Sequence, residues 1–249
     1  MDDLISRLSR LDSCAVSDAL DKLGLKGAVT GIRRFSSDRR IAGRVLTVKL
    51  DRAEGRSNTR HLCTAAIEAA SPGDIIVVEQ HTGLDAASWG GNLSIGAQVR
   101  GVAGAIVDGP VRDIDDSRKL DFPVFARDHT ARTARGRIVE VATGEPIDVG
   151  GVTVSPGDYA VADGSAAVFV AQGEIERVLE AAEAIVAREE AIAQALRDGK
   201  PISQAMGANY EHMLKGGTGS ERPAVHAETP RSPAATGSVV PPVQKTSTI

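Results

Sequence analysis

Two stretches of this 249-residue chain hold residue types suited to chemistry rather than packing. The first is "DGPVRDIDD", residues 108–116, which follows the apolar run "GVAGAIV". It places one arginine and four aspartates at the end of what reads as a buried strand. Arg112 offers a planar fork that grips a carboxylate in a bidentate way. Asp113 is a ligand type for a hard divalent cation such as Mg²⁺, which takes one or two protein carboxylates and keeps its waters. A plainer reading is also open: Asp113 as the N-cap of a helix "IDDSRKL", with Arg112 on the surface. The second stretch is "WGGNLSIGAQVRG", residues 89–101. Gly90 and Gly91 let the backbone approach a ligand closely. The helix behind them presents free N–H groups and a positive dipole end, a site for a carboxylate. Its plainer reading is a tight strand-to-helix turn with no ligand. If both stretches end neighbouring parallel strands, their loops lie side by side where open α/β sheets bind ligands. An anion-binding helix start would then face an arginine and a carboxylate.

The elements that must position these loops follow from periodicity. Leu4, Leu8 and Leu11 share a helical face, and "AVSDALDKLG" continues as a second helix closed by Gly24. "RIAGRVLTVKL", "IIVVEQ", "VAGAIV", "FPVFAR" and "AAVFVA" read as strands, and "IDVGGVTVSPGDYAVADG" as a β-rich stretch with two turns. "SNTRHLCTAAIEAA" is predicted as a helix with Ser57, Asn58 or Thr59 as N-cap. "GGNLSIGAQVRG" is predicted as a helix closed by Gly101. Strands separated by single helices predict a largely parallel buried sheet. From Gly173 a charged amphipathic helix of about 26 residues runs to Gly199; at about 39 Å it exceeds what one small core needs, so part of it is expected to pack on another subunit. The predicted organisation is an α/β core over residues 1–172, a helical arm over 173–214 and a tail over 215–249. The tail has almost no large apolar residues and is expected to be disordered.

Composition removes several function classes. Aromatics are 3% of residues and net charge is −4 with both signs interspersed, which argues against a nucleic-acid footprint. No apolar run is long enough for a membrane span. With no targeting pattern at the N-terminus, a cytoplasmic protein with two reduced, buried thiols, Cys14 and Cys63, is expected. Neither dinucleotide nor nucleotide glycine signatures occur. The histidines lack zinc spacing, and His61 reads as a packed or capping residue within a helix. No serine-hydrolase elbow appears.

"AVSDALDKLG", "IAGRVLTV", "SPGDIIVVEQ", "GGNLSIGAQVRGVAGAIVDGPVRD", "PVFAR" and "GGVTVSPGDYAVAD" stand in the order and spacing of one known family. Over about residues 5–200 the chain resembles the family of the 4-hydroxy-4-methyl-2-oxoglutarate aldolases and the regulator of ribonuclease E activity A. The "RGVAGAIVDGPVRD" block is the most specific part. The resemblance implies a β/β/α sandwich of swivelling-domain type with a long C-terminal helix, assembled as a homotrimer or homohexamer. It also implies a divalent-metal pyruvate aldolase using Mg²⁺ or Mn²⁺ on a small anionic 2-oxo acid. Arg112 matches the arginine that binds the pyruvyl carboxylate and keto oxygen, and Asp113 the metal ligand. Gly90, Gly91, Asn92 and Leu93 match the loop whose amides hold the substrate carboxylate. A glutamate from a neighbouring subunit's C-terminal helix is also used; Glu189 is the best match, with Glu190 next. The chain departs from the aldolase pattern at Gly91, where an acidic residue is common; Asn92 would substitute only in part, since an amide is no base.

The expected reaction is retro-aldol cleavage of a 4-hydroxy-2-oxo diacid, with oxaloacetate decarboxylation as a side activity through the same enolate. A Schiff-base route would need a buried lysine of lowered pKa. Lys49 is the only lysine in a predicted strand, and nothing places it near these loops. The rival reading is a non-catalytic, protein-binding regulator of a ribonuclease, using an outer surface and no metal. A menaquinone methyltransferase activity finds no support in a glycine-rich cofactor loop.

Overall fold

The computed structural model describes residues 3–56 and 60–207. The elements in chain order are α1 (Asp3–Leu8), α2 (Ser13–Leu23), β1 (Ala28–Val29), β2 (Arg33–Arg34), β3 (Ile41–Arg52), α3 (Thr64–Ala69), β4 (Ile75–Gln80) and α4 (Gly91–Val99). They continue as β5 (Gly104–Val111), α5 (Ile114–Lys119), β6 (Val124–His129), β7 (Ile138–Thr143), β8 (Ile147–Val149), β9 (Val152–Val154), β10 (Tyr159–Ala162) and β11 (Ala167–Val170). A 3₁₀ turn (Gln172–Glu174) leads into α6 (Ile175–Arg197) and α7 (Ile202–Ala205).

The fold is mixed α/β, with a curled sheet and a long C-terminal helix. One nine-stranded sheet runs in the order β1-β11-β10-β3-β4-β5-β6-β2, with β7 also paired to β3. Only β3–β4, β4–β5 and β5–β6 are parallel; all other pairs are antiparallel, which corrects the expectation of a largely parallel sheet. The reason lies in β3. Its twelve residues pair with β4 along one edge, while the other edge takes β10 at Ile41–Arg44 and β7 at Val48–Arg52, both antiparallel. A strand that long seats two short partners end to end, and both run against it.

Three apolar layers explain the curl. On one face of the parallel strands, Val78, Val107, Val111 and Ala126 pack against Leu62, Ala66, Trp89, Leu93 and Ala97 around α3 and α4. On the opposite face, Ile75, Val77, Ile106 and Phe125 pack against Val149 and Val154 of β8 and β9 and Ala160 and Phe169 of β10 and β11. The outer face of β10 and β11 carries Tyr159, Val161, Val168 and Val170 under α1, α2 and α6. The two β layers thus share a core, with helices outside each. Their strands alternate inward and outward residues, as a half-buried ribbon must.

α6 serves two ends. Ile175, Val178, Leu179, Ala182 and Ile185 are buried at helical spacing against α1 and α2, so this half of the expected arm belongs to the core. From Ala187 to Arg197 no residue is buried. Asp12 caps α2 by accepting the Ala15 amide at 2.8 Å, and Gly24 and Gly101 take positive φ just past α2 and α4.

Four expectations are corrected locally. The helix predicted from residue 57 begins only at Thr64, with Cys63 at its N-cap in the left-handed region (φ 64°). His61 therefore precedes that helix and is exposed. Cys14 is exposed because α2 turns Ser13, Ala15 and Val16 inward instead; Cys63 alone is a buried thiol. β7 is an additional strand, with Glu140 half-buried on it. The N-cap candidates Ser57, Asn58 and Thr59, and residues 208–249 with the expected tail, lie outside the described residues.

Candidate active site

β4, β5 and β6 end side by side, and the loops after β4 and β5 meet there. The segment at Trp89 forms a parallel bridge with Val111, the Arg112 amide donates to the Trp89 carbonyl at 2.9 Å, and the Ser88 amide to Pro110 at 2.9 Å. These bonds lock the start of α4 onto the end of β5. Beneath them the Trp89 indole N–H donates to Ser94 Oγ at 2.9 Å, and Ser94 and Ser117 share a hydroxyl contact of 2.9 Å between α4 and α5. Trp89 stacks on Phe122 with ring centroids 6.3 Å apart. A buried indole with its N–H satisfied is a rigid base for whatever sits above it.

Above that base lies a cleft of about 230 Å³ whose wall includes Gly90, Gly91, Asn92, Leu93, Arg112 and Asp113. The structure thus brings together all six residues predicted from those two stretches. Asp113 sits at the N-cap position of α5, but its backbone is left-handed (φ 55°, ψ 40°) and its side chain caps no amide of α5. Instead Oδ2 accepts the Gly91 amide at 3.1 Å, and Oδ1 accepts Arg112 Nε at 3.0 Å. The N-cap reading is therefore not the one realised. A left-handed aspartate is tolerable but uncommon, and such outliers gather at ligand clamps. Both side chains are partly open to solvent, 38% for Arg112 and 35% for Asp113. Arg112 thus keeps its terminal nitrogens for another partner.

Gly90 is required by space rather than by conformation, since its φ of −156° suits any residue. A Cβ there would lie 2.8 Å from Asp113 Oδ2 and 3.2 Å from Arg112 Cγ. At Gly91 a Cβ would stand 3.3 Å from the Cβ atoms of both Asp113 and Asp116, and 3.4 Å from Asp116 Oδ2. An acid on α5 therefore borders the position where the aldolase pattern has its own acid. The first intrahelical bond of α4 runs from the Ser94 amide to the Gly90 carbonyl, 3.1 Å. Helix geometry leaves the amides of Asn92 and Leu93 without an intrahelical acceptor, and both residues line the cleft. Asp113 is the single carboxylate in that lining, so a divalent cation here would take it as protein ligand.

Three further residues in the wall, His61, Thr133 and Arg135, were missed in the sequence. They arrive on loops before α3 and after β6. The dense "RTARGR" run at 132–137 is the one signal for Thr133 and Arg135; nothing local marks His61 as part of the cleft. Glu189 is not in the cleft of its own chain. The residue is exposed, and its carboxyl is pushed above the usual range by desolvation and by the charges of Asp12 and Asp18. Glu190 is exposed on the same half of α6. Lys49 faces Glu79 at 3.3 Å and does not line the cleft. No described helix is long and apolar enough to cross a membrane.

Comparison with known proteins agrees with this architecture. Residues 13–169 match the family model described as RraA-like, Aldolase/RraA. The chain belongs to the RraA-like family. A protein of Halalkalibacterium halodurans named "Putative 4-hydroxy-4-methyl-2-oxoglutarate aldolase" is 32% identical over 200 residues, covering 79% of this chain and 90% of that one. Protein DlpA of Legionella pneumophila is 27% identical across 82% of this chain, which spans about a third (33%) of DlpA's length. Among solved structures, an uncharacterised Pseudomonas syringae protein superposes with a TM-score of 0.75 at 29% identity, covering 83% of this chain and 98% of that one. Streptomyces coelicolor RraAS2, described as an unusual member of the RNase ES inhibitor RraA family, superposes at 0.70 with 25% identity, covering 76% and 95%.

Proposed function

We propose that this RraA-like protein is a class II type pyruvate aldolase that cleaves 4-hydroxy-2-oxo diacids, such as 4-hydroxy-4-methyl-2-oxoglutarate or 4-carboxy-4-hydroxy-2-oxoadipate. The observation that carries the reading is the meeting of Arg112, Asp113 and the start of α4 in one cleft. A regulator acting through an outer surface has no use for a half-open arginine fork beside a carboxylate held in a left-handed backbone.

The residues divide the work as follows. The amides of Asn92 and Leu93, at the positive end of α4, receive the pyruvyl carboxylate. The free Arg112 nitrogens donate to the keto oxygen, and those bonds strengthen as that oxygen becomes an enolate. Asp113 would hold Mg²⁺ or Mn²⁺, its single carboxylate suiting a hard cation that keeps most of its waters. When bound, the cation supplies Lewis-acid polarisation of the keto oxygen. In the bond-breaking step the 4-hydroxyl loses its proton to a base and C4 becomes a carbonyl. The C3–C4 electron pair moves onto the pyruvyl fragment as its enolate, and protonation at C3 then releases pyruvate. Oxaloacetate would lose CO₂ to the same enolate.

For the base we assign the partner subunit's Glu189, acting through a water in a trimer or hexamer. The support is the unburied second half of α6 and the position of Glu189 outside its own cleft. Complementation checks this: Arg112→Ala and Glu189→Gln are each nearly inactive, and mixed oligomers regain part of the activity. No recovery in proven hetero-oligomers removes Glu189 from the site. The activity itself is tested by pyruvate release from a panel of 4-hydroxy-2-oxo diacids with Mg²⁺ and then with EDTA. Release that EDTA abolishes supports the aldolase; no release from any of the panel leaves the ribonuclease-regulator reading, in line with the description of RraAS2.

A further inference from the structure

The cleft does not end at Arg112. His61, Leu62, Thr133, Ala134 and Arg135 form one of its walls and also bound a second cavity of about 500 Å³. The two cavities adjoin along that wall. The outer cavity has a buried apolar floor that includes Ile138 and Val139, and its rim carries Arg56, Arg60 and Arg135. No acidic residue is among the described residues of its lining.

The three arginines differ in what they have left to give. Arg56 is committed, with Nη2 on Asp51 Oδ2 at 2.8 Å and Nε on the Ala53 carbonyl at 3.3 Å. Arg60 stands 3.7 Å from Glu140 Oε1, a loose pairing, with its side chain 55% exposed. Glu140 is already used: Oε2 accepts the Cys63 amide at 2.6 Å and Oε1 the Thr143 hydroxyl at 2.5 Å. Arg135 is exposed and pairs with no carboxylate among the described residues. Two guanidinium groups with spare donors thus overhang an apolar floor. That arrangement fits a short carbon chain ending in an anion.

Resting on the aldolase reading, we propose that the outer cavity is a distal-carboxylate subsite. Arg135 and Arg60 hold the far carboxylate of the diacid while Arg112 and α4 hold the pyruvyl end. The split restricts substrates to those with a second anionic group and rejects neutral 4-substituents, because unpaired guanidinium groups beside an apolar chain gain nothing from them. His61 and Thr133, in the shared wall, border the middle of the substrate, where the breaking bond lies.

The test is ligand binding by calorimetry on the full chain with Mg²⁺, using oxalate as a probe of the inner cleft alone and 2-oxoadipate as a probe of both ends. Arg135→Ala and Arg60→Ala each replace an exposed side chain, and an unchanged thermal midpoint verifies folding. The expected result is unchanged oxalate affinity in Arg60→Ala, whose side chain lines the outer cavity and not the inner cleft, and an about 10–100-fold weaker 2-oxoadipate affinity in each variant. If oxalate binds as in the unsubstituted protein and neither substitution weakens 2-oxoadipate, the subsite is wrong and the inner cleft stands. If both probes weaken together in Arg60→Ala, that arginine acts on the inner cleft and the subsite is again wrong. If the unsubstituted protein binds no oxalate, the reading of the inner cleft falls and the subsite with it.

Discussion

β5 and the turn that follows it carry two ion clusters five positions apart, centred on Asp108 and Asp113 and on opposite sides of the sheet. Asp108 points into the layer shared with β8 and β9. It accepts Arg127 Nε at 2.5 Å, His81 Nε2 at 2.7 Å and the Gly150 amide at 2.7 Å, and is 4% exposed. Arg127 in turn donates to the Thr30 carbonyl. Asp113 points into the cleft with one amide and one guanidinium nitrogen as partners and a third of its surface open. Both are aspartates beside an arginine. The difference is saturation: every oxygen of Asp108 is used and water is shut out, whereas the Arg112–Asp113 pair retains donors and lone pairs. A closed cluster fixes the β8–β9 hairpin to the sheet; an open one is free to hold a ligand. The remaining charge in the stretch is surface chemistry, with Asp115 on Arg118 at 3.0 Å and Asp116 on Lys119 at 3.2 Å.

If the contrast is right, substitutions in the two clusters separate activity from stability. Asp113→Ala is expected to lower kcat for pyruvate release on the order of 10³-fold, about 4 kcal/mol in barrier, and leave the thermal midpoint in place. Asp108→Ala does the reverse. It is expected to cost about 2–4 kcal/mol in urea unfolding, below the cost for a fully buried pair because Arg127 is 32% exposed, with kcat per folded molecule near that of the parent. A stable Asp108→Ala protein, or an unstable Asp113→Ala one, erases the distinction. Gly90→Ala sharpens it. The new Cβ can be relieved by moving the Asp113 carboxylate, so stability should change by less than about 1 kcal/mol while activity falls about 10–100-fold. Equal losses in both would mean that the backbone gives way instead.

The smallest effect is in pH. Burial pushes the Asp108 carboxyl up, but the bonds from Arg127, His81 and the Gly150 amide outweigh it and hold it below the usual carboxylate range. A carboxyl lowered in the folded state adds stability above its unfolded value of about 3.9, and that stability is lost as pH falls through the folded value. Unfolding free energy should therefore fall more steeply below about pH 4 in the parent than in Asp108→Asn. Parallel profiles would show that Asp108 is not held by this cluster.

Much of the site could be read from residue order, because its parts lie at the ends of long apolar runs. β4 opens on IIVV and β5 on GAIV; the Arg–Asp pair directly follows β5, and the glycine pair ends the loop after β4. The cleft's far wall was not legible. His61, Thr133 and Arg135 come from loops whose approach is set by tertiary packing. Cys63, in a left-handed backbone with its thiol pushed far up by burial and Glu140, redirects the chain ahead of α3 in a way no local pattern announces. The antiparallel half of the sheet was hidden for a related reason. β7 and β10 pair with separate halves of β3, and "IVEVAT" alone does not say which half. The Ser88 hydroxyl, buried under the cleft without a hydrogen-bond partner, has no counterpart in sequence and no structural explanation.

The claim that the open cluster is the cation and pyruvyl site is tested most directly by Mn²⁺ binding, followed by electron paramagnetic resonance. The proteins to compare are the parent, Asp113→Asn and Asp108→Asn, each with and without oxalate. The account predicts that the parent and Asp108→Asn bind Mn²⁺ with a spectrum that oxalate changes, and that Asp113→Asn loses both. Mn²⁺ binding retained in Asp113→Asn, with the oxalate response intact, would contradict it.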